Sequence, residues 1–457
     1  MKRPTHKSFI SSVQPATKAT QSSYKKTILN NGIRVVSEEI PHVRSVSIGI
    51  WINVGSRDEQ DSNNGVSHFI EHMVFKGTRN RSVREIARSL ESVGGYLNAF
   101  TGKEHTCYYA RSLDEYSELA LDVLSDLVQH AVFPEKELEK EKGVVIEELR
   151  NAEDDPDDII HDYFDKALFG SHPLGFPVMG TEPNLRSFTQ ADLNRYVQRH
   201  YVPCNLVVAA AGNIGHSRLV ELAEKFIGRL PSQAGDGSRS RGKPSVYRAE
   251  RREFAKPIQQ AHVCLGSQAF SIRSKQRFPL LVLNTLLGDG MSSRLFQNIR
   301  EKYGFAYSVY SYVTMMSDAG VFGSYIGTDK NHVPASIDLI MKELEKLRTR
   351  PVPRAELNRT KAQLKGNMML SLESIPNRMM RLGSSVLYFD EVKPIDSILR
   401  QINAVTQDEI QAIAQELFVE RKLSTVVFLP EARPAGDTRA LAALRGDRGP
   451  KRRPARA

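Results

Sequence analysis

Residues 65–78 read GVSHFIEHMVFKGT, and positions 68–72 within them give the order His-x-x-Glu-His. On a helix, positions i and i+4 project from one face, so His68 and His72 can present their imidazoles to a single ion. Glu71 stands three residues after His68, within reach of a water on that ion. This is the His-Glu-x-x-His zinc pattern with its order reversed, two histidine ligands and a glutamate base. The competing reading of the same residues is a helix with two solvated or core histidines.

A catalytic zinc takes three protein ligands and keeps one position open. The stretch EKELEKEKGVVIEELRNAE (135–153), opening after Pro134, reads as a helix, since proline suits a first turn. It offers Glu141 and Glu148. Seven steps of about 100° return to nearly the same face, so both carboxylates point one way. One can bind the ion while the other orients a histidine. An acidic helix is ordinarily a solvated face, but the apolar neighbours in GVVIEEL argue that this part is partly buried.

The remainder of the chain sets the frame. Its 457 residues exceed one ordinary core, which predicts two domains. A hydrophobic content of 40% and a charged content of 25% fit a globular protein. The longest apolar runs, such as LVVAAAG (206–212), fall far short of the ~18 residues of a membrane span. Cys107, Cys204 and Cys264 are odd in number and far apart, which suggests neither a disulfide framework nor a zinc knuckle and favours a reducing compartment.

The net charge of +10 suggests nucleic acid until it is localised. Residues 1–37 carry +7 and residues 431–457 carry +5, which leaves −2 between them. The basicity belongs to the tails, and solvated tails rather than nucleic-acid binding are expected. The N-terminal tail is basic, rich in hydroxyls and free of acids, as organelle transit peptides are. It also contains Pro4 and Pro15 and no clear amphipathic pattern, as a disordered extension would.

Strand-like alternation in TILNNGIRVVSEE and SVSIGIWINVGS opens a first block, helical stretches follow, and NLVVAAAGNI closes it as a strand. Residues 231–257 are polar and rich in Gly, Pro and Ser, as a linker would be. A second block repeats the plan: strand, two helices, two strands, helix. It contains no HxxEH, so metal chemistry is expected in the first block alone. The divisions are a tail at 1–27, a domain at 28–230, a linker at 231–257, a domain at 258–430 and a tail at 431–457.

HFIEHMVFKGT, followed by a Glu-x6-Glu pair that begins 69 residues after His72, resembles the M16 (pitrilysin-type) metallopeptidases. The likeness is closest to the mitochondrial processing peptidase β-subunits and their bacterial relatives, and it covers about 28–430. It implies an α+β fold of two duplicated α/β-sandwich domains, each a mixed sheet covered by helices, closing as a two-lobed clamshell. It implies one zinc per chain on His68, His72 and Glu148, with Glu71 as the base and Glu141 supporting the site. No position of the zinc motif departs from the family pattern. That argues against the alternative of a non-catalytic, structural subunit, as does the short LLGDGMSS (286–293) where non-catalytic processing subunits carry a glycine-rich loop.

The resemblance places further residues. GGYLNAFTGKEHTCYYA (94–110) matches the strand that pairs with extended peptide, with Asn98, Ala99 and Phe100 beside the substrate backbone. Arg300 and Tyr307 match a pair that holds substrate carbonyls or the oxyanion from the side opposite the zinc. Asp158 and Asp162 match acidic residues that receive an arginine just N-terminal of the cut; by themselves they equally suit the start of a helix. The implied activity is zinc-dependent endoproteolysis of unfolded or presequence-like peptides. Partners are a peptide substrate and a second subunit, as a homodimer or with a related chain, in the bacterial cytoplasm or, because of the acid-free N-terminus, the mitochondrial matrix.

Overall fold

A computed structural model describes residues 24–231, 241–245 and 247–431. The tail readings for 1–23 and 432–457 lie outside the described residues. Two mixed sheets organise the chain. The first comprises β1 (Tyr24–Ile28), β2 (Arg34–Glu39), β3 (Ser45–Ile52), β4 (Tyr96–Thr101), β5 (Thr106–Leu113) and β6 (Leu206–Gly212), in the spatial order β1-β2-β6-β3-β5-β4. The second comprises β7 (Arg251–Lys256), β8 (Ala261–Ala269), β9 (Ala306–Met315), β10 (Gly320–Thr328) and β11 (Ser424–Pro430), in the order β7-β11-β8-β10-β9.

Setting β1 aside, both sheets have the strand order first-fifth-second-fourth-third, and in both the first and fifth strands pair in parallel while the rest are antiparallel. The repeated plan in the sequence is therefore a repeated topology. In both halves the third strand, β4 or β9, is left at a free edge of its sheet.

The helices of the first half are α1 (Val66–Val74), α2 (Val83–Glu91), α3 (Ser117–His130), α4 (Glu135–Glu153), α5 (Pro156–Phe169), α6 (Glu182–Ser187), α7 (Gln190–His200) and α8 (His216–Phe226). Those of the second are α9 (Arg277–Gly288), α10 (Val333–Thr349), α11 (Arg354–Ser371), α12 (Ile375–Phe389), α13 (Ile395–Ala404) and α14 (Gln407–Leu417). Between α9 and β9 the expected helix is present, with its ladder widened to π geometry over Phe296–Glu301.

One face of the first sheet packs Ile48, Ile50 and Val208 under α1, α3, α7 and α8. Its other face, with Val36, Trp51, Val207, Ala209 and Ala211, is covered by Met379, Leu382 and Val386 of α12, a helix of the second half. The exchange is reciprocal. Ile160, Phe164 and Leu168 of α5, in the first half, cover Cys264, Tyr325, Val426 and Phe428 of the second sheet. Helices α5 and α12 occupy equivalent places in the two repeats, so each half lends the corresponding helix to the other.

Two stretches read as unstructured contain edge strands. Tyr24–Lys26, in the supposed tail, begin β1, whose last residues Thr27 and Ile28 open the strand-like TILNNGIRVVSEE, and Arg251–Lys256, inside the supposed linker, is β7. Both are rich in Lys and Arg and neither contains a buried residue, because free edges are protected by charge, and that composition imitates a loop.

The halves also meet at a buried charge cluster. Arg57 reaches Glu104 at 2.7 Å and Asp318 at 2.6 Å, and Arg241 reaches Asp58 at 2.8 Å. Ser317 donates its backbone N–H and its hydroxyl to Glu104, at 2.8 and 2.6 Å.

Candidate metal centre and substrate edge

Helix α1 divides its residues between two sides. Phe69, Ile70 and Met73 are buried in the first core, while His68, Glu71 and His72 turn toward α4 and the end of β4. Its start is fixed by Gly65 at φ 98°, where a Cβ would stand 2.8 Å from Gly180 Cα. The buried Glu59 carboxylate accepts the Gly65 and Ser67 N–H groups, both at 2.8 Å, and so satisfies donors that a helix N-terminus leaves open.

Across from it, α4 turns Glu141 and Glu148 to the histidines. His72 Nε2 lies 3.3 Å from Glu148 Oε2, and His68 Nε2 lies 3.9 Å from Glu148 Oε1. Tetrahedral ligands on one zinc, each at about 2.0–2.1 Å, stand about 3.3 Å apart, so this set fits the ion with only small adjustment. Among the described residues, this is the group of three or more His, Cys, Asp or Glu side chains whose donor atoms lie within 4.8 Å of one another. His72 Nδ1 donates to Glu141 Oε1 at 3.0 Å, which leaves Nε2 free as a ligand. Lys76 completes the chain with Nζ 2.7 Å from Glu141 Oε2.

The electrostatics match a cation site. Burial, and then the neighbouring His72, push His68 down to about 4. Burial also opposes charge on His72, but hydrogen bonds to Glu141 and Glu148 hold it up to about 9. The group thus draws positive charge onto one imidazole, a demand that a divalent ion meets. Glu71 is raised above the usual carboxylate range by burial, although Thr101 Oγ1 donates to its Oε2 at 2.6 Å.

Thr101 ends β4, the free edge strand. Asn98, Ala99 and Phe100 lie on that strand. Ala99 packs with the core beneath α1, whereas Phe100 turns to the opposite face, with its ring 5.6 Å from that of Trp51. Asp158 is exposed on α5. Asp162 lines a cavity of about 550 Å³ together with Leu149, Tyr163, Met179 and Phe254. Burial raises Asp162 to about 6, against the pull of Lys103.

Arg300 and Tyr307 have each other as partners: the guanidinium lies 5.2 Å from the Tyr307 ring and 4.6 Å from that of Phe296. Tyr307 is 81% exposed, at the end of β9 away from the Ser317 junction. The structure thus brings His68, Glu71, His72, Glu141 and Glu148 together and leaves Arg300 and Tyr307 outside that contact set. Sequence reasoning missed Glu59, Lys76 and Thr101. Lys76 was findable at i+4 from His72, and Thr101 at i+2 from Ala99 on the same strand face; Glu59 gave no signal.

Comparison with known proteins shows the family. Residues 34–182 match the family model for insulinase (peptidase family M16), and residues 187–364 match that for the peptidase M16 inactive domain. The chain is 44% identical to the Bacillus subtilis protein named zinc protease YmxG over 396 residues, 87% of this chain and 96% of that one. The chain belongs to peptidase family M16. It is likewise 40% identical to the zinc protease SCO5738 of Streptomyces coelicolor, over 88% of this chain and 89% of that one. In fold this M16 chain resembles a Helicobacter pylori protease, with a TM-score of 0.84 at 23% identity, covering 90% of this chain and all of the other. As an M16 member it is an enzyme, a zinc protease, and its His-His-Glu group suits the metal in that name.

Proposed function

We propose that the chain is an endopeptidase that cleaves extended, unfolded or presequence-like peptides, with His68, His72 and Glu148 holding one zinc and Glu71 acting as general base. The observation that carries this reading is the Glu71 carboxylate beside the His-His-Glu group and hydrogen-bonded to the last residue of a free sheet edge.

When bound, zinc supplies Lewis acidity at a water and at the scissile carbonyl. Glu71 accepts the water's proton and passes it to the departing amine. Glu141 keeps His72 oriented with Nε2 forward. The peptide adds as a strand to β4 along Asn98, Ala99 and Phe100, where main-chain hydrogen bonds grip any sequence and side pockets select. Asp162, beside its cavity, and Asp158 receive a basic residue near the cut. Arg300, half-buried, and Tyr307, exposed, both on the second lobe, donate to substrate carbonyls once peptide is present. Three free cysteines and bacterial relatives support a place in the bacterial cytoplasm, and pairing with a second M16 subunit, identical or related, is part of the reading.

The test compares wild type with Glu71→Gln for zinc content and for cleavage of a quenched, arginine-containing peptide. Expected are about one zinc in both proteins and a rate reduced by about 10²–10⁴ in the variant. Wild type without zinc, or a fully active variant, would overturn the assignment.

A further inference from the structure

We propose that Thr101 is a positioning residue for Glu71 and that, through Thr101, the junction between the lobes sets where the base stands. This rests on Glu71 being the base.

The Thr101 hydroxyl takes one oxygen of the Glu71 carboxylate, Oε2, and leaves Oε1 to receive a proton. A half-buried carboxylate on a helix turn still has more than one rotamer, and the hydroxyl selects one. Thr101 is itself held from beyond the first sheet. It is followed by a tight hairpin in which the Gly102 N–H donates to the His105 carbonyl at 2.9 Å. That hairpin is pinned by the chain at 55–57: the Ser56 N–H donates to the Gly102 carbonyl at 3.2 Å and the Arg57 N–H to the Lys103 carbonyl at 2.8 Å. A Cβ on Gly55 would fall 2.2 Å from the Gly102 carbonyl oxygen, so this contact leaves no slack.

The hairpin's acidic residue is the tie to the second lobe. Glu104 is 2% exposed, and its two oxygens accept from the Arg57 guanidinium, the Ser317 N–H and the Ser317 hydroxyl. Asp318 closes the cluster on Arg57. Ser317 and Asp318 form the turn between β9 and β10, in the second half. A buried carboxylate with every partner in place is stiff, and removing one partner is costly. Glu104 therefore ties the hairpin that carries Thr101 to the Ser317 turn of the second half. Loosening that tie removes the outer support of the strand end on which Thr101 stands.

The test uses the zinc-loaded full chain and a quenched, arginine-containing peptide. Thr101→Val keeps strand shape and removes the hydroxyl; Thr101→Ser restores it; Asp318→Asn alters the junction at a residue outside the His-His-Glu group. Thr101→Val should lower kcat by about ten- to a hundredfold with KM changed less than about twofold. Zinc affinity, read by chelator competition, should be unchanged, and Thr101→Ser should recover most of the rate. Asp318→Asn should also lower kcat, and the double variant should be no slower than Thr101→Val alone, as for groups acting in series. A wild-type kcat in Thr101→Val, or a Ser variant as slow as Val, would defeat the positioning role. Rate losses that multiply in the double variant would defeat the link to the junction. If Glu71→Gln remains active, the base reading itself fails; if it is inactive while Thr101→Val is normal, only the present proposal does.

Discussion

Glu141 and Glu148 share one face of α4, yet their surroundings separate their roles. Glu148 faces both imidazole Nε2 atoms. Glu141 instead sits between His72 Nδ1 and Lys76, and these hydrogen bonds hold it below the usual carboxylate range although burial opposes its ionisation. On the proposed reading of the site, its effect on zinc is exerted through the orientation of His72. Glu141→Gln keeps the volume and loses the charge that Lys76 and His72 share. It should weaken zinc binding about 10–100-fold, measured by chelator competition, while the fold is retained. Unchanged affinity would show that His72 needs no such support. Lys76 and Thr101 belong to the same scale: each holds one carboxylate of the site, and the signal for each lies in its spacing from His72 or Ala99, not in its residue type.

At the scale of elements, α12 is the piece whose docking is most demanding. Gly383 lies against the Trp51 indole, where a Cβ would stand 2.1 Å from Nε1. Trp51 is 2% exposed and hemmed in by Phe100 and His105, so it has nowhere to move. Gly383→Ala therefore sets overpacking of about 1–3 kcal/mol against a helix-propensity gain of about 1 kcal/mol. Net destabilisation is expected, read as a lower urea midpoint with an unchanged slope. Gly366→Ala on α11 is the control: a Cβ there meets nothing within 4 Å, and the variant should be neutral or slightly more stable. Equal effects at both sites would mean that helix propensity, not the Trp51 contact, dominates.

The whole molecule is two repeats that are not two independent domains. Each sheet has one face covered by a helix from the other half, so either half alone would expose an apolar sheet face: Trp51, Ala209 and Ala211 in the first, Val426 and Phe428 in the second. Residues 1–240 and 241–457 expressed separately should therefore lack a cooperative thermal transition by circular dichroism. Co-expression should restore both the transition and zinc-dependent cleavage. A half that melts cooperatively alone would show that its own core suffices.

Much of this was legible in the linear order of residues. HFIEH needs only helical periodicity to bring His68, Glu71 and His72 to one side, and Glu141 and Glu148 share a face for the same reason. The duplication was visible as a repeated order of elements, because hydrophobic patterning is local. The zinc pattern and the resemblance it carries, and with them the family, were therefore determined by the sequence itself. The tertiary structure alone decided the rest. Which helix covers which sheet depends on packing between residues more than 90 positions apart, such as His161 of α5 against Cys264 or Gly383 of α12 against Trp51. The strand β7 and the charged start of β1 were hidden because a charged edge strand has the composition of a loop. Thr101 against Glu71, and Glu104 against Ser317, pair residues 30 and 213 positions apart. Local propensity carries no trace of such pairs, since they exist only once two packed sheets bring distant turns together.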